Sequence, residues 1–326
     1  MRRTDDTLII GARESSVAGE AKRRRKHAAK YIKFGMHRLV ILEWLARGPK
    51  DLQTGSELKA ALDQIAPSLP VTCVRCDSAA DVLARIQELT DNALRTGDVP
   101  VLQIDAHGYN EAGAKGITGT GPDGITERIS WDVLGEALRR LNLATHFNLM
   151  FVGAACWSDN AIYAVTNQGI RPLPFILAVG FPEEVDQHHA FAAMLCLYVA
   201  MLVENLGLQQ SFNKVEALLS PFGVKLSYFS IPKIIRNAFL DASRSISNPA
   251  NNHGLYLKEI CDAAVVGRRP DSPQQFQNRY AATARGAIDR MLSELLAYTL
   301  IPENKERFRY DGRKLIQEAA RQRSCN

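Results

Sequence analysis

Short apolar runs recur along this chain with helical segments between most of them, and that alternation limits the fold more than any other feature. Runs at 38–45, 71–76, 99–106, 147–155, 174–181 and 225–231 have strand length and are mostly apolar. Between them apolar residues return with a helical period. Leu58, Ala61, Leu62 and Ile65 form one set, Val82, Ile86, Leu89 and Ala93 another. Val133, Leu134, Ala137, Leu138 and Leu141 form a third, behind Ser130 as a capping residue. Phe191, Met194, Leu195, Tyr198, Met201 and Leu202 form a fourth, which Glu184 or Asp186 can start. Strands buried on both faces read as continuous apolar runs, and parallel neighbours are joined by helical crossovers. The pattern predicts an α/β fold: a mostly parallel six-stranded sheet with helices on both faces.

One stretch interrupts the alternation. Residues 109–128 carry Gly113, Gly116, Gly119, Gly121 and Gly124, with a turn signal at Pro122-Asp123-Gly124. This reads as a small hairpin, and its few apolar anchors predict mobility. It does not read as a phosphate loop, because no Gly-Lys-Ser/Thr follows and no helix opens at the glycines.

At 326 residues the chain can hold one large domain and an appendage. Residues 1–36 form a basic, partly disordered segment. Between 20 and 38 there are eight Lys or Arg against Glu20 alone. Such a run is first a solvated tail, and contact with nucleic acid or an acidic partner is the lesser reading. The α/β domain is expected over 37–246. A loop at 247–254 then leads into a C-terminal helical extension, 247–326, with a helix inside 272–300 and a charged helix over 303–323. The chain shows neither a signal-peptide core nor an apolar run long enough to span a bilayer. Six cysteines in a chain this long do not make a disulfide framework, so a reducing cytoplasm is expected. No cofactor or metal is expected. Cys73 and Cys76 stand three apart in a strand, which points their thiols to opposite faces, and no second pair lies nearby. His188-His189 reads as surface or cleft rim.

Two strand ends carry the chemistry. Val101-Leu102-Gln103-Ile104-Asp105-Ala106 ends in His107-Gly108, and Phe147-Asn148-Leu149-Met150-Phe151-Val152-Gly153-Ala154-Ala155 ends in Cys156. A parallel strand delivers its last residues to the carboxyl edge of the sheet, where α/β folds place their sites. Two neighbouring strands would set His107 beside Cys156, as a base beside a nucleophile. A free thiol has a pKa near ~8.5, so a neighbouring base matters at neutral pH. Gly108 has no side chain, which lets its N–H approach a substrate. Taken singly, the cysteine would read as core and the histidine as loop; the pairing of strand ends makes the dyad.

A third stretch, Phe175-Ile176-Leu177-Ala178-Val179-Gly180-Phe181-Pro182-Glu183-Glu184-Val185-Asp186, follows in order. Together the three resemble the CHAT-type caspase-like cysteine peptidases of the caspase–separase clan, over roughly 37–235. The interval of 49 residues from His107 to Cys156 is close to the caspase spacing. The match departs from caspases at Ala154-Ala155-Cys156-Trp157-Ser158, where Ala155 replaces the caspase Gln. The resemblance implies a cysteine endopeptidase with a Cys156–His107 dyad and an oxyanion hole from the N–H groups of Gly108 and Cys156. It also implies a substrate pocket in which Asp186, with Glu183 and Glu184 beside it, receives a basic P1 side chain. A protein substrate, an activating protein or ligand, and a place in bacterial antiviral defence are further implications. Three alternatives stand beside these. The acids start a helix and nothing more; Arg47, past the first strand, binds an acidic P1 instead; or the dyad is idle and the scaffold is a protein-binding module.

Overall fold

A computed structural model of the chain describes residues 37–45, 52–111, 114–162, 171–230 and 292–308, with scattered positions between 257 and 290. The chain divides into two compact units, residues 1–230 and 231–326.

The first unit is built on strands β1 (Arg38–Trp44), β2 (Val71–Arg75), β3 (Pro100–Glu111), β6 (Met150–Ala154), β7 (Leu177–Gly180) and β8 (Ser227–Ser230). Their order across the sheet is β2-β1-β3-β6-β7-β8. The first five run parallel, and β8 closes the sheet antiparallel to β7. This is the α/β architecture that the alternating pattern predicts. Leu39, Ile41, Leu102, Met150, Phe151 and Val152 are all fully buried at the centre. Each such side chain contributes about 1.5–3 kcal/mol relative to exposure.

Helices α1 (Thr54–Ile65), α2 (Ala79–Thr96), α3 (Trp131–Ala144), α4 (Gln187–Tyr198) and α5 (Leu208–Leu219) fill the crossovers and the stretch before β8. Helix α1 packs on α4 and α4 on α5, while α2 packs on α3. Side-chain alternation along the strands separates the two groups. On β3, Gln103 bonds Tyr198 of α4 and Asp105 bonds Thr54 of α1. Phe151, beside Leu102 in the register, meets Trp131 of α3 edge-on from the other side. Serine hydroxyls cap two helix starts, the one at Ser130 as expected from the sequence. The Ser78 hydroxyl accepts from Asp81 N–H at 3.0 Å, and Ser130 from Val133 N–H at 3.3 Å. Gly97 ends α2 in the left-handed region at φ 70°.

The glycine-rich stretch is a hairpin, with β4 (Ala114–Thr120) and β5 (Thr126–Ser130) antiparallel. It is more firmly held than its composition suggests. Strand β3 does not stop at Ala106 but runs on to Glu111, pairing antiparallel with β4 from His107↔Thr118 to Glu111↔Ala114. The Arg128 guanidinium lies 4.9 Å over the Tyr109 ring and bonds both Glu111 oxygens, at 2.6 and 2.8 Å. Gly119 lies flat on the buried Trp44 ring, where a Cβ would come within 2.5 Å of it. Glycine is used here for close approach as well as for turning.

A 3-10 turn, Ser158–Ile162, opens the predicted helix at 159–167, whose remainder lies outside the described residues. Also outside are the basic segment 1–36, Arg47, the helix expected from Ile234, the 247–254 loop and most of the C-terminal extension. A short helix α6 (Glu303–Arg307) is described within the expected charged terminal helix. No helix among the described residues is long and apolar enough to cross a membrane.

Candidate active site

The β3/β6 register decides where the two strand ends meet. Val101 pairs with Met150 and Asp105 with Ala154, a constant offset of 49 residues. That equals the His107–Cys156 interval, and the parallel pairing ends two residues short of both, at Asp105↔Ala154. The backbones are in contact there. A Cβ on Gly108 would fall 1.7 Å from the carbonyl oxygen of Cys156. Only glycine permits this approach, which is a second reason for His-Gly at this strand end. His107 is exposed and Cys156 half-buried.

The Cys156 sulfur is held by the main chain of Val185. It accepts from Val185 N–H at 3.4 Å and lies 3.7 Å from Val185 carbonyl oxygen. Among the described residues no hydrogen bond joins the His107 imidazole to the sulfur. The turn after β7 also takes up the residues after the cysteine. Trp157 N–H donates to Glu183 carbonyl at 3.3 Å, and Asp159 N–H to Phe181 carbonyl at 3.2 Å. Leu52 N–H, just before α1, donates to Gln187 Oε1 at 3.0 Å. The ends of β3, β6 and β7 and the residues before α1 thus gather at one edge of the sheet.

The three predicted acids lie on that edge as exposed groups rather than on a buried pocket floor. Asp186 is the N-cap of α4, accepting from His188 N–H at 2.8 Å with its side chain 58 % exposed. This is the helix-starting alternative. Glu183 pairs with Lys225 at 3.2 Å in solvent, and Glu184 is exposed. His189 stands 3.9 Å from Asp186, with its ring centroid 4.6 Å from that of Phe222. His188 is exposed and His189 half-buried.

Two acids that the site reading did not use are buried beneath the edge. Glu43 of β1 and Asp105 of β3 are register partners, 1 % and 0 % exposed. Glu43 accepts from the N–H groups of Gly55 and Ser56, at 2.8 and 3.0 Å, and from the Ser56 hydroxyl at 2.9 Å. It caps α1 from a neighbouring strand, since Gln53 at the N-cap makes no side-chain cap of its own. Asp105 accepts from the Thr54 hydroxyl at 2.7 Å and Gln103 Nε2 at 2.6 Å. Burial pushes the Asp105 carboxyl up to about 7, and nearby Glu43 pushes the same way against these two hydrogen bonds. The signal in the sequence was a charge inside an otherwise apolar strand.

Burial pushes Cys73 up to about 11 and Cys76 up to about 12, with Glu43 and Asp81 adding to the respective shifts, and burial also raises Cys196. These groups stay protonated at neutral pH. Ser158, fully buried behind Cys156, was also not singled out from the sequence.

No family model matches the chain, and no curated protein sequence matches it. Among the solved structures that resemble it are two at low identity. The Drosophila initiator caspase Dronc aligns at TM-score 0.41 and 10 % identity, over 59 % of this chain and 78 % of Dronc. Raptor from Chaetomium thermophilum aligns at TM-score 0.34 and 13 % identity, over 87 % of this chain and 28 % of Raptor. At these scores neither likeness decides the fold, which rests on the strand order and register given above.

Proposed function

We propose that the chain is a cysteine endopeptidase acting through Cys156 and His107. The observation that supports this best is the β3/β6 register, with the backbone contact of Gly108 on Cys156. In the reaction, Sγ leaves Val185 and gives its proton to the imidazole, then attacks the scissile carbonyl. The N–H groups of Gly108 and Cys156 receive the oxyanion; one such donor is worth roughly 10²–10³ in rate. Collapse breaks the C–N bond, and the imidazolium gives its proton to the leaving amine. Water, deprotonated by His107, then cleaves the thioester and releases the acid and the thiol. The substrate is a protein, and Glu183, Glu184 and Asp186 on the rim favour a basic P1 residue. An activating protein or ligand that moves the 181–186 turn would free the sulfur for His107. A role in bacterial defence, in the cytoplasm, follows from the family resemblance alone.

The sulfur's present bond to Val185 favours a second reading, an idle caspase-like scaffold that binds a partner. The test is peptide hydrolysis by the wild type, Cys156→Ala and His107→Ala, together with labelling by a small thiol electrophile. Hydrolysis lost in both variants, with Cys156 labelled faster than Cys196 and Cys261, supports the peptidase. Unchanged turnover in either variant sinks the dyad, and labelling no faster than at the other thiols favours the scaffold.

A further inference from the structure

Gly153 and Gly180 lie one step beyond the Val152↔Val179 pair, so two glycines stand opposite each other where β6 and β7 end. The side chain missing from each leaves a notch between the strands. Ser158, two residues past the cysteine, fills it. A Cβ on Gly153 would fall 2.6 Å from Ser158 Cβ, and one on Gly180 would fall 2.6 Å from Ser158 carbonyl carbon and 2.7 Å from its Oγ. The hydroxyl is used twice: it donates to Gly153 carbonyl oxygen at 2.7 Å and accepts from Phe181 N–H at 2.9 Å. It thereby ties the end of β6 to the end of β7. To reach the notch the chain must fold back sharply after Cys156, and Trp157 takes up that reversal in the left-handed region at φ 51°. A non-glycine residue there costs about 1–2 kcal/mol, so something must hold it.

We infer that Ser158 is the positioning residue of the nucleophile: plugged between Gly153 and Gly180, it pins the reversal that presents Cys156 to the cleft. The inference rests on the peptidase reading of Cys156. The ladder Trp157–Glu183 and Asp159–Phe181 flanks this plug. With Ser158 withdrawn, the turn loses its anchor and the Cys156 backbone loses its fixed place against Gly108. The effect falls on chemistry rather than on substrate binding, because Ser158 is 1 % exposed and cannot touch a peptide.

Two variants of the full chain test this from opposite sides. Ser158→Ala removes the hydroxyl, while Gly180→Ala keeps it and fills the notch. In both, kcat on a peptide substrate is expected to fall about 100-fold with KM little changed, as for a misplaced reacting group. Exchange of the Trp157 amide hydrogen is expected to quicken about tenfold or more, although neither substitution removes its acceptor. A folded Ser158→Ala protein with wild-type kcat and wild-type Trp157 exchange would overturn the inference. If the wild type cuts no peptide, the peptidase reading fails, and the exchange measurement still decides whether Ser158 holds the turn.

Discussion

Replacing Asp105 by Asn should change how stability depends on pH, and the structure gives the size of the effect. The carboxyl is fully buried, with its ionisation raised from 3.8 to about 7. A raised acid means that the folded state holds the proton more tightly than the unfolded state. Stability is therefore full below the unfolded value and falls as pH rises from about 4 through about 7. The full difference of about three pH units corresponds to about 4 kcal/mol, at 1.36 kcal/mol per unit. Between pH 5 and pH 8 the wild type should lose about 2–3 kcal/mol through this group. Asparagine keeps the shape and cannot ionise. Its amide suits the Thr54 and Gln103 donors together less well than the acid does, a cost of about 1–3 kcal/mol. The Asn variant should thus be the less stable protein at pH 5 and should draw level with or pass the wild type at pH 8. Urea denaturation of both proteins, followed by tryptophan fluorescence at each pH, measures the double difference. Parallel pH profiles would refute the reasoning and show that Asp105 is ionised, with Thr54 and Gln103 outweighing burial and Glu43.

Gly108→Ala should cut kcat at least about 100-fold, because its Cβ would meet Cys156 carbonyl oxygen at 1.7 Å and push the dyad strands apart; steady-state kinetics with a melting curve checks it. At Asp186, Asn keeps a capping oxygen and Ala does not. The Ala variant should lose about 1 kcal/mol of stability in urea melts. Since the carboxylate is 58 % exposed, Asp186→Asn should weaken cleavage after Arg or Lys by no more than about fivefold, the scale of an exposed ion pair. A peptide panel that prefers Asp at P1 would count against the acidic rim. In hydrogen exchange on the free protein, the paired segments at 109–111 and 114–120 should be protected, as the ladder with β3 and β5 requires; rapid exchange there would restore the mobile hairpin that composition predicts.

The sequence by itself determined the layering. Apolar runs such as Leu39-Val40-Ile41-Leu42 can be buried only between two helical faces, so strand count and parallel direction follow from patterning. It also brought His107 and Cys156 forward as candidates, since each closes an apolar run. What patterning could not decide was how the edge is finished. Strand β3 continues past Ala106 because β4 comes back to pair with it, and that partner supplies the hydrogen bonds that local composition lacks. Asp186 caps α4 because the chain brings the His188 N–H at the start of that helix onto its carboxylate. Glu43 and Asp105 can be charged-type residues in the core because the amino end of α1 arrives over them with its own donors. Ser158 matters through two glycines that are distant in sequence, Gly153 and Gly180, which meet only when β6 and β7 align. Periodicity reports which face a residue occupies; a hydrogen bond or a close contact depends on the partner that folding brings to it, and that partner is not written in the local sequence.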